Sequence, residues 1–235
     1  MEQLSIEIKN ALVKEGASLV GFADMKILPP DARSSLDFGI SVGVALNAMI
    51  IGGSVELPNM SYYNEVQRAN SLLKYLGEFA ARLLVEKGYK AIPILPNDLS
   101  ELDSTKLRVP FQHKTVATRA GLGWIGKQAM LVTEEYGNAI RLCSVLTNAP
   151  LDCAKPIEDS KCGECKECAN VCPGKAISGV SWNISRNRDE FFDAFKCYKV
   201  ASGYKKALGL EAAHGLGICG KCIVVCPRTK KYCKN

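Results

Sequence analysis

Little in this 235-residue sequence would carry the chain out of a reducing compartment or into a bilayer. Its first apolar helix is interrupted by Glu2, Glu7 and Lys9, so no signal-peptide core is expected. The longest uncharged run, Phe38–Val55, contains Ser41, Asn47, Ser54 and four glycines, which reads as a buried strand and a loop, not a membrane span. No block of like charge is present. The 30 basic and 24 acidic residues are spread along the chain for a net charge of +6, which implies a solvated, mildly basic surface. No repeat runs through the whole chain. With 47% hydrophobic residues there is enough apolar material for a real core, so a cytoplasmic protein of one domain or two small ones is expected.

Cysteine is what the sequence has in excess. All of its 11 cysteines except Cys143 lie after position 150, mostly in C-x-x-C steps, and without an export signal this points to metal ligation rather than disulfides. The run CGECKECANVCP offers Cys162, Cys165, Cys168 and Cys172 before Pro173, the C-x-x-C-x-x-C-x-x-x-C-P spacing of bacterial ferredoxins. Two-residue gaps let three thiolates wrap one cubane, while the fourth points to a neighbouring cluster. A structural zinc site needs no such run of four before a proline. The second run, CGKCIVVCP, offers Cys219, Cys222 and Cys226. Superposing the two Cys-Pro pairs sets Leu216 opposite Cys162, so the second run is one ligand short, with Cys153, Cys197 and Cys233 as candidates. Crossing the fourth ligands gives one 4Fe–4S cluster on Cys162, Cys165, Cys168 and Cys226. The other takes Cys172, Cys219, Cys222 and one of the candidates. Cys143, inside an expected strand, reads as a small core residue.

Upstream, Leu4, Ile8, Ala11 and Leu12 repeat at helical spacing up to Gly16. Strands are expected at Leu19–Ala23, Ile40–Leu46 and Ala91–Leu95, the last at an edge because of Pro93. Ser61 can cap a long helix ending at Gly88. Ala129–Thr133 and Ala139–Leu146 read as a hairpin. Strands mixed with helices suggest an α+β layer. The change to proline, charge and cysteine near residue 150 suggests an α+β cofactor-binding core over 1–150 and a ferredoxin-like module over 151–235.

The segment AGLGWIGK, Ala120–Lys127, fits both a dinucleotide fingerprint and most of a P-loop. Neither survives its context. No good strand precedes it, no carboxylate stands near Cys143–Leu146 to hold a ribose, and Gln128 occupies the P-loop's Ser/Thr position. Close backbone approach to a large ligand, or a plain structural turn, remains.

AGLGWIGK, followed by LVTEEYGNAIRLCSVLTNAPL and the two cysteine runs, resembles epoxyqueuosine reductases and, more distantly, reductive dehalogenases. The resemblance covers roughly Pro110–Pro227, with a weaker echo upstream, where SYYNEVQR is similar to the family's Asp-Tyr-His helix start. It implies a nitroreductase-like α+β core that binds cobalamin, with a two-cluster ferredoxin module packed against it. It assigns Gly121, Gly123, Trp124, Gly126 and Lys127 to the corrinoid pocket, and FDAFKC supplies the missing ligand as Cys197. The pairing makes chemical sense, because low-potential iron–sulfur clusters deliver single electrons and low-valent cobalt is strongly nucleophilic. Neither His113 nor His214 stands in an Asp-x-His-x-x-Gly motif, so both read as packing or surface residues.

Departures from the family pattern shape the rest. Its catalytic aspartate aligns near Leu107, where TKLRVP has no carboxylate, and the nearest is Asp103. Tyr62 and Asn64 replace the Asp and His of the helix start, leaving Tyr62 and Tyr63 as candidate proton donors. With Trp124 they would suit a flat conjugated ring, flavin included. The family's helical-repeat extension, which helps engage tRNA, has no counterpart after the second run, so tRNA is not expected as a partner. The expected function is a corrinoid-dependent reductase of an unidentified small molecule, fed by a donor such as ferredoxin or flavodoxin. The alternative is an electron-transfer protein that reduces a partner's corrinoid or flavin.

Overall fold

Ile8 and Leu12, one turn apart, are fully buried, so helix α1 (Glu2–Lys14) packs by that stripe on the first strand and the long helix, and Gly16 ends it. The structure, a computed structural model, describes all residues except 54, 55, 97, 214 and 235; the expectation for His214 thus falls outside the described residues. Strand β1 (Leu19–Asp24) pairs antiparallel with β2 (Phe38–Ala45). Asn47 caps the short helix α2 (Ala48–Gly52) by accepting from Met49 N and Ile50 N.

Helix α3 (Met60–Glu86) buries Ala69, Leu73, Leu76, Ala80 and Leu84 at helical spacing. Its cap is Asn59 rather than Ser61: Asn59 is extended, and its Oδ1 accepts from Tyr62 N at 2.9 Å. Strand β3 (Ala91–Ile94), with Pro93, lies at a sheet edge as its proline requires. Helix α4 (His113–Arg119) packs on the sheet where Gly39 makes room, since a Cβ there would stand 2.9 Å from Val116.

The expected hairpin does not form. Strand β4 (Trp124–Ile125) pairs with β5 (Leu131–Val132) in a ribbon of its own, while β6 (Ile140–Thr147) enters the main sheet, whose order is β1-β2-β6-β3 and wholly antiparallel. The unbroken buried run Cys143–Thr147 explains this, because a strand buried along its length belongs between neighbours. Cys143 is a core residue, its thiol pushed up to about 12 by burial.

Among the described residues the cysteine-rich segment carries four further α-helices: α5 (Glu167–Asn170), α6 (Ala194–Ala207), α7 (Lys221–Val224) and α8 (Pro227–Tyr232). It is fastened to the sheet by polar ties: Thr229 Oγ1 donates to Asn138 Oδ1 at 2.6 Å and Tyr232 OH to Leu46 O at 2.8 Å. Among the described residues no helix is long and apolar enough to cross a membrane.

Candidate redox site

The two cysteine runs fold alike. Cys168 lies on α5 and Cys222 on α7, these two short helices pack together, and each leads into the next cysteine, Cys172 or Cys226. Electrostatics shows which thiols are neighbours, because a like charge raises a thiol's pKa only at short range. Burial, then Cys162, Cys165 and Cys226, push Cys168 up to about 11. Burial, then Cys219 and Cys172, push Cys197 up to about 11. Cys222 is raised by burial and then by Cys219, Cys197, Cys168 and Cys172, so it stands with the second group on the side nearest Cys168. Cys153 feels Asp24 and Asp152 instead, and Cys233 is raised by burial alone. In agreement, Cys162, Cys165, Cys168 and Cys226 line one cavity and Cys197, Cys219 and Cys222 another, with Cys172 acting on the second group.

Among the described residues no three His, Cys, Asp or Glu side chains converge as ligands of a single ion do. A zinc ion draws its sulfurs to about 2.3 Å of one centre, whereas a cubane holds them at its corners.

Against the second set lies a cleft with a cavity of about 340 Å³. Tyr62, Tyr63, Val66, Met130, Ile140 and Arg141 line it together with Cys197, Cys222 and the stretch Gly215–Gly220. Gly220 is left-handed at φ 84, and a Cβ there would come within 3.0 Å of the Tyr62 ring; glycine lets the cysteine loop close on the tyrosine. Tyr62 is 6% exposed. Burial raises its pKa well beyond the ordinary phenol value, Arg141 opposes this, and Cys222 and Cys219 add to it, so the phenol is a proton holder at neutral pH. Tyr63 is half-buried. Such an apolar, concave wall with a few polar groups is the usual form of a ligand site.

The glycine segment is elsewhere. Trp124 does not share the cleft of Tyr62 and Tyr63, which corrects the expected three-aromatic pocket. The β4–β5 ribbon turns Trp124 and Lys127 toward the first cysteine loop: Trp124 Nε1 donates to Cys162 Sγ at 3.4 Å, and Lys127 Nζ to Gly163 O at 2.7 Å and Cys165 O at 2.9 Å. Its glycines serve close packing. A Cβ at Gly123 would lie 2.2 Å from Val132 O, one at Gly126 2.2 Å from Gln128, and one at Gly121 3.0 Å from Lys155 O.

His113 is a packing residue: its ring nitrogens meet Ser144 Oγ at 3.0 Å and Leu95 O at 3.3 Å, and burial lowers its pKa to about 4. Asp103 is turned to its own loop, bonding Thr105 N at 2.9 Å, and Leu107, at φ 47, is held by Arg188 Nη1 on its carbonyl at 2.8 Å. Leu99 is the part of this loop that reaches the cleft wall. Sequence reasoning missed Arg141, although a lone arginine inside the apolar strand IRLCSVLT is itself a signal. Its Nε donates to Asn70 Oδ1 at 3.1 Å.

Residues 161–229 match the model of a 4Fe-4S double cluster binding domain. The epoxyqueuosine reductase of Bacillus cereus is 34% identical over 122 residues, 50% of this chain and 29% of that enzyme. The tetrachloroethene reductive dehalogenase of Sulfurospirillum multivorans is 37% identical over 122 residues, 51% of this chain and 24% of that enzyme. The chain thus spans well under half the length of these curated relatives. In fold it is similar to an epoxyqueuosine reductase solved with an epoxyqueuosine-modified tRNA-Tyr stem loop, at a TM-score of 0.62 and 20% identity over 97% of this chain and 66% of that one. It is also similar to a catabolic reductive dehalogenase, at a TM-score of 0.75 and 18% identity over 97% of this chain and 32% of that one. The chain is therefore a mixed helix-and-strand, 4Fe–4S protein similar to epoxyqueuosine reductases. The expectation that tRNA is no partner is overturned, because the fold likeness to an enzyme solved with a tRNA stem loop spans 97% of this chain.

Proposed function

We propose that the protein is a cytoplasmic, corrinoid-dependent iron–sulfur reductase, with a nitroreductase-like core over 1–150 and a two-cluster module over 151–235, acting on epoxyqueuosine in tRNA. One observation carries this reading: Cys197, Cys219 and Cys222 of the second cysteine set line the cleft that holds Tyr62 and Tyr63, so a redox centre would stand directly against a ligand site. In it, Cys162, Cys165, Cys168 and Cys226 hold one 4Fe–4S cluster and Cys172, Cys197, Cys219 and Cys222 the other. Bound there, the clusters supply single electrons at low potential and the corrinoid supplies nucleophilic low-valent cobalt.

The chain's own residues bind, orient and protonate. The glycine-rich stretch before Cys219 and the apolar side chains of α3 and β6 face a broad, flat ligand across the cleft. Deoxygenating an epoxide to an alkene takes two electrons and two protons and releases water. Burial keeps Tyr62 protonated until it is needed, and the nearby Arg141 cation stabilises the phenolate that proton donation leaves. Tyr63 is the second donor within the same wall.

The test is to incubate anaerobically reconstituted protein with a strong reductant and epoxyqueuosine-containing tRNA, with and without cobalamin. Cobalamin-dependent formation of queuosine is expected, with a change in the corrinoid absorption spectrum on binding. Unchanged spectra and no queuosine would contradict the reading.

A further inference from the structure

The cleft leaves AGLGWIGK without a role, because its two polar side chains face away from it. Trp124 is 1% exposed, yet its indole N–H points at Cys162 Sγ at 3.4 Å. A buried indole N–H calls for an acceptor, and here that acceptor is a thiol of the first set. Lys127 is 3% exposed, and its ammonium lies under the same cysteine loop on two carbonyls, Gly163 O and Cys165 O. Among the described residues it forms no ion pair with a carboxylate. Two more cations flank the indole: Lys161 Nζ at 5.6 Å and Arg228 Cζ at 5.7 Å from the ring centre. Gly123 fixes the tryptophan's direction, since no side chain fits between β4 and Val132 O. At the second set the sulfur contact is of another kind, a backbone one, Ala176 N to Cys172 Sγ at 3.3 Å.

We propose that Trp124 and Lys127 are positioning residues that set the reduction potential of the cluster on Cys162, Cys165, Cys168 and Cys226. The proposal rests on the two-cluster reading above. Reduction adds one electron to the cluster and so one negative charge to its sulfurs. A donor N–H on a ligand sulfur and a buried ammonium beneath the loop stabilise that added charge more than the oxidised form. Removing either makes the first cluster harder to reduce and leaves the second as it was. The glycine segment is then a wall for a metal cluster, not a cradle for phosphate.

Trp124→Phe keeps a ring in the buried site and deletes the N–H. In anaerobically reconstituted protein, a redox titration followed by electron paramagnetic resonance reads both clusters, and Cys197→Ala protein assigns the signals. The one-electron equilibrium of the first cluster should move about tenfold toward the oxidised form, a midpoint lower by about 59 mV. Iron content and the second midpoint should stay as in the unaltered protein, and Lys127→Gln should shift the first midpoint in the same direction. A first midpoint unmoved by Trp124→Phe, or both midpoints moving together, overturns the proposal. Should the variants lose iron, the unaltered protein decides: with indole-¹⁵N tryptophan and Trp182→Phe as the background, the reduced first cluster should show a ¹⁵N hyperfine coupling. Its absence also overturns the proposal. Unaltered protein with well under about eight irons would instead break the two-cluster reading.

Discussion

Helix α3 buries ten of its 27 residues, while α6, about half as long, buries none of its 14. The contrast runs through both regions. The sheet and its helices share a continuous cluster of fully buried aliphatic side chains, among them Ile8, Leu12, Ile40, Val42, Leu73 and Leu76. Past Leu151 the buried apolar side chains thin out to Ala176, Ile177, Phe191, Ile218 and Ile223. Ordering each residue costs on the order of 1–2 kcal/mol of backbone entropy, and the cysteine region has fewer buried apolar side chains to offset it. Metal bonds are the available substitute, as in other small metal-dependent modules. With the proposed clusters bound, one chain would use two ways of holding a fold, and the cleft lies where the two regions meet.

The sharpest way to break this comparison is to remove iron. Anaerobic chelation should strip amide-exchange protection from most of residues 152–235 while β1, β2, β6 and the middle of α3 stay protected. Equal loss in both regions would mean that the sheet also depends on the clusters. A converse perturbation is Leu76→Ala, at a fully buried site on α3. It should cost about 2–5 kcal/mol of stability in the sheet region, read by denaturant unfolding, without altering iron content.

A smaller effect belongs to the junction. Tyr62→Phe should slow turnover by roughly a hundredfold or more, the usual worth of a positioned general acid, with iron content and corrinoid affinity intact. Because burial raises the Tyr62 pKa above its unfolded value, the phenol stays protonated through neutral pH. A loss of rate on phenol ionisation near the ordinary tyrosine value would contradict the burial described here. The smallest effect is pH dependence within the sheet region. Burial lowers the folded pKa of His113 to about 4, below the ordinary histidine value of 6.5, so the unfolded chain takes up its proton first as pH falls. Stability is therefore full above about 6.5 and falls between there and about 4, by at most about 3 kcal/mol. His113→Phe should flatten that slope in acid-unfolding curves, and an unchanged slope would assign it to other groups.

The double-cluster domain was legible in the sequence because the two cysteine runs carry ferredoxin spacing within residues 161–229. The strand edge at Pro93 and the stripe of α3 were also legible, since each follows from local chemistry or helical period. The hairpin was misread because periodicity reports burial, not partner: β5 and β6 are adjacent in sequence yet join different sheets. Trp124 was misplaced for the same reason. Its resemblance-based role put it beside Tyr62, while a two-residue ribbon turned it to Cys162. Arg141 needed the fold, because only the sheet order brings β6 under the start of α3.

The central claim is that a second cluster, completed by Cys197, forms the wall of the cleft. Iron content and the reduced electron paramagnetic resonance spectrum of anaerobic Cys197→Ala protein test it most directly. The account predicts about eight irons in the unaltered protein and about four in the variant, with the signal of the Cys162, Cys165, Cys168 and Cys226 cluster retained. A Cys197→Ala protein that keeps all of its iron and both signals would contradict it.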